Sequence, residues 1–345
     1  MIIEILLLVL LVAIFVFPFI FRKIEAELEI FLFTAGVLAV TIAWQWSTAL
    51  VMDALIEPVT ITVAVFLAGL IFKFIEHRLS KAFARIIDKI GQKWFFFIMI
   101  LLLGMISSIV TAIIAALILV EITIAIGLEK EIKIRFTVLA CFSIGLGAIL
   151  SPVGEPLAVI IIAKLSGAPY HAEFWYLFEH TWFYIIPSIV ALGILSTRLI
   201  NHGQYHATNE IEDKIKVESI STITKRAVKV YVFIIGLVFL GKGFAQLMET
   251  IMANIPPQII YWFNSISAVL DNATLASAEI WPSMSLAQII SAILSLTMAG
   301  GMLIPGNIPN IVAAGKLEIK SKQWAKVGLP LGIVLMAFFF LVLFL

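Results

Sequence analysis

Apolar residues fall into long runs separated by short polar stretches, at 2–21, 30–46, 58–75, 94–127, 136–164, 174–197, 227–248, 255–281, 286–315 and 327–345. A helix needs about 20 residues to cross a bilayer, so the pattern predicts an all-α polytopic membrane protein. Four runs do not fit one helix each. Run 94–127 would be about 51 Å long as a single helix, too long for a hydrocarbon core of about 30 Å, and Ser107, Ser108 and Thr111 lie in its middle. Run 255–281 has Ser265, Ser267, Asp271, Asn272 and Thr274 in its middle. Runs 136–164 and 286–315 are each broken by Gly and Pro.

Basic residues decide how these runs are threaded. Of the 23 Lys and Arg, two lie at 22–23, six in 73–93, three in 130–135, six in 198–229 and four in 316–326, which leaves Lys164 and Lys242. The positive-inside rule makes these five stretches cytoplasmic and the bare stretches 47–58, 165–176 and 249–285 external. Run 94–127 then enters and leaves on the cytoplasmic side, as a re-entrant helical hairpin with its tip near Ser107–Ala112. Run 255–281 is a second hairpin, entered from outside. A hairpin tip exposes backbone polar groups at membrane depth, which requires a surrounding shell of protein or a water-filled cavity. The expected fold is about eight crossings plus two re-entrant hairpins and two broken helices, in the cell membrane with both termini external. Stretch 76–92 reads as an amphipathic helix on the inner surface.

Composition agrees. The 345 residues are 62% apolar and 13% charged, with mean hydropathy +1.12, against about 45–50% and 25% in soluble domains. A water-soluble globule, a disordered chain and a disulfide scaffold are excluded, the last because Cys141 is the single cysteine. A net charge of +1 provides no basic field for nucleic acid.

The chain also echoes itself. The first hairpin tip reads Ser107-Ser108-Ile109-Val110-Thr111-Ala112 and the second Ser267-Ala268-Val269-Leu270-Asp271-Asn272. The first broken helix contains Gly145 to Pro156 and the second Gly300 to Pro309; Lys164-Leu165 follows one and Lys316-Leu317 the other. The order crossing, hairpin, broken crossing, crossing therefore occurs at 58–197 and again at 227–345, joined by a cytoplasmic loop at 198–226. The charge partition gives the copies opposite orientations, the signature of a secondary transporter.

Two intramembrane acids stand out. Glu155 lies in Ser151-Pro152-Val153-Gly154-Glu155-Pro156, between two apolar half-helices, where a break leaves free carbonyls for a small cation and a free helix N-terminus. A carboxylate at this depth costs several kcal/mol unless protonated, paired or bound to a cation; the plainer role is a structural acid paired with a nearby Lys. Asp271, beside Asn272 and near Ser267 and Thr274, forms an oxygen-rich group suited to Na⁺; the plainer role is an Asx-type turn. By the repeat, Asn307, followed by Asn310, matches Glu155, and Thr111 matches Asp271. Asp271 and Glu155 are thus the candidate Na⁺ ligands, facing one midplane cavity where each acid raises the other's affinity for a proton. Asn272, Asn307, Asn310, Thr111, Ser107, Ser108, Ser267, Thr274 and Ser151 are the neutral candidates, with helix–helix adhesion as the alternative role.

Other polar residues read as peripheral. Lys242 and Lys164 are expected to snorkel outward, Glu179-His180 to sit in an aromatic belt, and Glu121 and Glu279 to take interfacial positions. His202 and His206 have metal-ligand spacing, but in a polar loop without cysteine. Metalloprotease, Walker A and nucleophile-elbow motifs are absent from the sequence, so no enzyme is expected.

The segment Ser267 to Asn272 resembles the S-x-x-x-D-N segment of NhaD-type sodium/proton antiporters. Gly300 to Asn310 resembles the Gly-rich broken helix of the wider ion transporter superfamily, which includes arsenite permeases and divalent anion/sodium symporters. The best match is its prokaryotic cation transporter branch. The resemblance covers the two hairpin and broken-helix cores. It implies a scaffold domain and a moving transport domain, an elevator-like motion and a homodimer. Thr111-Ala112 departs from the acidic or amide pair of the pattern, and the Ser-Asn-Thr triplets of the dicarboxylate symporters are missing. The expected function is cation/proton antiport of the Na⁺/H⁺ type by alternating access, with Na⁺ and H⁺ as the ions, no cofactor, and the lipid bilayer as surroundings. A Na⁺-coupled symporter of a small organic or inorganic anion fits the same elements, and a passive channel is the reading from another class.

Overall fold

A computed structural model describes the chain except residues 1, 22, 25–26, 57, 60–61, 64–65, 68–69, 71–88, 200–219, 253–255, 271, 281 and 283. The expected amphipathic helix at 76–92 and the pair His202 and His206 fall largely or wholly outside the described residues. Regular elements among the described residues are all helical. We number those used below as α1 (Ile2–Ile20), α2 (Leu28–Ile42), α3 (Gln92–Val110), α4 (Ala112–Ile126), α5 (Lys130–Ala148), α6 (Pro156–Leu165), α7 (Tyr176–Leu199), α8 (Ile220–Met252), α9 (Pro257–Phe263), α10 (Asn272–Glu279), α11 (Leu286–Gly300), α12 (Ile308–Leu317) and α13 (Ser321–Phe344).

Four stretches, Gln92–Val110, Tyr176–Arg198, Ile223–Leu247 and Ser321–Phe344, are long and apolar enough to cross a membrane. Shorter apolar helices accompany them. Large apolar side chains also cover the outside, among them Val9, Ile109, Phe183 and Val334. Water would not tolerate so much exposed apolar surface, whereas lipid favours it. The protein is an all-α membrane protein.

The internal geometry follows from a few close approaches. Small residues let backbones meet where lipid gives no hydrophobic drive to associate. A Cβ on Gly147 would run into the Gly104 carbonyl, and one on Gly36 into the Gly236 carbonyl. These contacts join α3 to α5 and α2 to α8. Phe96 packs on Phe136 at 4.7 Å between ring centroids, Ser143 Oγ donates to the Ile100 carbonyl, and Ser107 Oγ donates to the Ile144 carbonyl. Residue numbers rise together, so α3 and α5 run in the same direction. The intervening α4 must then run back, and it ends at Gly127 in the left-handed conformation (φ 67°) that turns the chain into α5. Run 94–127 is a helical hairpin with its break at Thr111.

The second unit repeats the device. Asn264 Nδ2 donates to Ser295 Oγ and Ser267 Oγ to the Leu296 carbonyl. This aligns α9 and the 3₁₀ turn Asn264–Ala268 with α11, and α10 follows as the short second arm. A capping box between Ser285 and Gln288 starts α11. Each broken helix then resumes as a ten-residue helix, α6 or α12, with basic Lys164 or Lys316 in its last turn. Each is followed by a 24-residue helix, α7 or α13, containing an internal proline.

Candidate functional site

The two breaks are built alike. Both resumed helices start from an extended residue: Glu155 at φ −158°, ψ 160° and Asn307 at φ −154°, ψ 145°. Pro156 and Pro309 stand at the first or second helical position, where a missing N–H costs nothing. Neither Glu155 nor Asn307 uses its side chain to cap its own helix. The breaks also lie together. Asn307 Nδ2 is 2.9 Å from the Cβ position of Gly145, Cys141 Sγ approaches the Pro309 carbonyl at 3.8 Å, and a Cβ on Gly301 would meet the Phe142 ring.

The first hairpin tip sits on the first break. The Ala112 N–H donates to the Gly154 carbonyl at 2.8 Å, and Ser151 Oγ donates to the Ser108 carbonyl at 2.5 Å. Thr111 takes φ 82°, ψ 148°, a region that is close to glycine-only. The strain is held by two anchors, the Ala112 bond and Thr111 Oγ1, which accepts from the Ile114 N–H at 3.3 Å. The second tip sits on the second break in the same way. A Cβ on Gly306 would meet the Ser267 and Ala268 carbonyls, and Asn272 Nδ2 lies 3.5 Å from the Cβ position of Gly300.

A cavity of about 390 Å³ opens between the first tip and the starts of α6 and α12, lined by Thr111, Pro152, Gly154, Glu155, Asn307 and Pro309 among others. Glu155 is 5% exposed. Three of the sequence candidates, Thr111, Glu155 and Asn307, therefore share one cavity. Asp271, the leading candidate, lies outside the described residues, as does the side chain of Thr274.

The remaining candidates hold backbone together. Ser107 Oγ shares its proton between the Gly104 carbonyl at 2.7 Å and the Ile144 carbonyl at 2.9 Å, and Ser108 Oγ donates to the Met105 carbonyl. Ser267 bonds Leu296, and Ser151 bridges tip and break while accepting from the Val153 N–H. Asn310 Nδ2 donates to the Gly300 and Leu303 carbonyls at 2.8 and 2.9 Å, which satisfies two groups freed by the second break. Asn272 is buried against it.

The buried acids differ from expectation. Glu121 and Glu279, expected at interfaces, are 7% and 3% exposed. Glu121 lies more than a turn inside α4 and forms an ion pair with Lys316 of α12. The clue available in sequence was that Lys164 and Lys316 occupy the same ninth position of matched helices. Lys242 is exposed. Glu179 is exposed, and His180 stacks on Tyr176 at 4.4 Å.

Because α4 and α12 start at the cavity and meet again at Glu121 and Lys316, they run in parallel. α12 therefore points toward the end where α3 and α5 begin. α6 continues α5 away from that end. The two broken helices run in opposite directions.

A family model matches residues 4–345, nearly the whole chain. The chain belongs to the DUF1646 family, whose description is "Protein of unknown function". The comparison with curated proteins returned no match. The reading of a DUF1646 protein therefore rests on its own residues.

Proposed function

We propose that this DUF1646 protein is a secondary active ion transporter, a cation/proton antiporter of the Na⁺/H⁺ type working by alternating access. On this reading the matched halves are inverted repeats in the membrane, making about eight crossings with two re-entrant hairpins. The observation that carries it is Glu155. Its carboxyl stands at a helix break in a cavity that also holds a hairpin tip and the opposing break. A carboxylate so deep is costly unless it is protonated, paired or bound to a cation, and its place on the cavity wall favours exchange with a proton or a cation. Asp271, directly before α10, is its proposed partner. Resemblance to NhaD-type antiporters and the wider ion transporter superfamily adds to this reading, and implies a homodimer.

Proteoliposomes test it through Na⁺-dependent proton flux across a pH series. Glu155→Gln and Asp271→Asn should each lower exchange by about two orders of magnitude, roughly 2.7 kcal/mol, with Lys242→Ala near wild type. Placing the charge in the other break (Glu155→Asn with Asn307→Glu) should recover part of the flux. Exchange at the wild-type rate in both single variants would sink the antiporter reading.

A second reading has its own observation. The N-termini of α6 and α12 both line the cavity, and such termini favour anions. Na⁺-stimulated uptake of a small anion, without Na⁺-driven proton flux, would select a symporter.

A further inference from the structure

The second break is pinned by side chains from the two helices that follow it. α11 ends at Gly300, and the carbonyls beyond its last turns need donors from elsewhere. Asn310 Nδ2 of α12 donates to the Gly300 and Leu303 carbonyls. Trp324, in the first turn of α13, donates its indole N–H to the Gly301 carbonyl at 3.2 Å. Trp324 is 0% exposed. A buried indole N–H takes a partner somewhere, and here that partner is the backbone of the break rather than a neighbouring side chain.

One face of α13 is shaped for this contact. Residues 324, 328 and 332 fall four apart, so they share a face of the helix. A Cβ on Gly328 would run into the Met302 carbonyl, and one on Gly332 into the Met302 side chain. The face therefore lies against Gly301 and Met302 from the indole to Gly332. Packing of α13 on α5 and α11 holds it there. The first break is held differently. Ala158 stands where Asn310 stands, three residues after the extended residue. A donor to that break comes from its own hairpin tip, the Ala112 N–H on the Gly154 carbonyl at 2.8 Å.

We propose that Trp324 is a positioning residue for the cavity, acting through the second break on Asn307. Asn307 follows Gly301 by six residues, directly after the 3₁₀ turn Ile304–Gly306. The indole fixes the first carbonyl of this connection from α13, and Asn310 fixes the Gly300 and Leu303 carbonyls from α12. With both ends held, the connection keeps the Asn307 amide on the cavity wall that Glu155 shares. The role concerns the wall itself and holds whichever ion the cavity carries.

Thiol reactivity of the full-length protein in proteoliposomes tests this without any transport assay. Asn307→Cys and Glu155→Cys each put a thiol on one break. Mass spectrometry separates their labelling by 2-aminoethyl methanethiosulfonate from that of Cys141, which is buried. Adding Trp324→Phe should raise the labelling rate of Asn307→Cys about fivefold, the local opening released by one lost hydrogen bond, and leave that of Glu155→Cys within about twofold. Replacing the Trp324 indole by benzothiophene, which keeps the shape and drops the N–H, should give the same pattern with the packing undisturbed. An unchanged rate for Asn307→Cys with benzothiophene would make Trp324 a space-filling residue. An equal rise at both positions would make it a general packing residue. Either result would overturn the assignment.

Discussion

The two hairpin and break units share a backbone and differ in charge. Ser107 and Ser267 each tie a first arm to the carbonyl of the neighbouring broken helix, at Ile144 and Leu296. Glu155 and Asn307 each precede a ten-residue helix from the same extended conformation. The first unit places a carboxyl and a strained threonine on the cavity. The second places an amide there and spends Asn310 on the carbonyls of its own break. One unit brings an ionisable group to the cavity, the other a neutral one. The buried acids contrast in the same way: Glu121 is neutralised by Lys316 from the opposite half, whereas Glu279 has an amide for a neighbour.

The largest expected effect breaks that second contrast. Lys316→Met leaves Glu121 buried without its partner and should destabilise by about 3–5 kcal/mol, with Glu121→Gln added on top restoring most of it. The matched change on the other acid, Glu279→Gln, should cost under about 1 kcal/mol. Unfolding in detergent compares all three, and equal losses in Lys316→Met and Glu279→Gln would erase the distinction.

A smaller effect sharpens the contrast between the tips. Thr111→Ala keeps the strained backbone and loses the cap on Ile114, at about 1 kcal/mol. Thr111→Gly loses the same cap but relieves strain of about 1–3 kcal/mol. Glycine should therefore melt higher than alanine at this position, by clearly more than the roughly 1 kcal/mol by which an N-cap ordinarily favours glycine. A gap no larger than that ordinary preference would show that position 111 is not strained.

The smallest effect tests the equivalence itself. Ser107→Ala and Ser267→Ala should each cost about 0.6 kcal/mol, the average for a hydrogen bond between membrane helices. A severalfold difference between them would mean that the two units are not held by the same contact.

Much of the architecture was legible along the chain because its causes are local. Run length and hydropathy mark membrane helices, and Gly and Pro near 145–156 and 300–309 stop helices wherever they stand. A 34-residue run with hydroxyls in its middle predicts the break, and the helix ends at Val110. Thr111, Glu155 and Asn307 could be named because each lies at such a break. Tertiary structure alone decided which polar residues meet. Glu121 and Lys316 are 195 positions apart, and an acid six residues from the end of an apolar run looks interfacial until α12 packs against it. That the Asn310 amide nitrogen closes the break, while its Oδ1 keeps no hydrogen-bond partner among the described residues, is likewise a matter of packing. A carboxylate's cost depends on what surrounds it, and those surroundings are assembled from helices remote in sequence. The chain itself determined where polar groups enter the membrane; only packing determined which of them are neutralised, which serve as adhesion, and which are left facing a cavity.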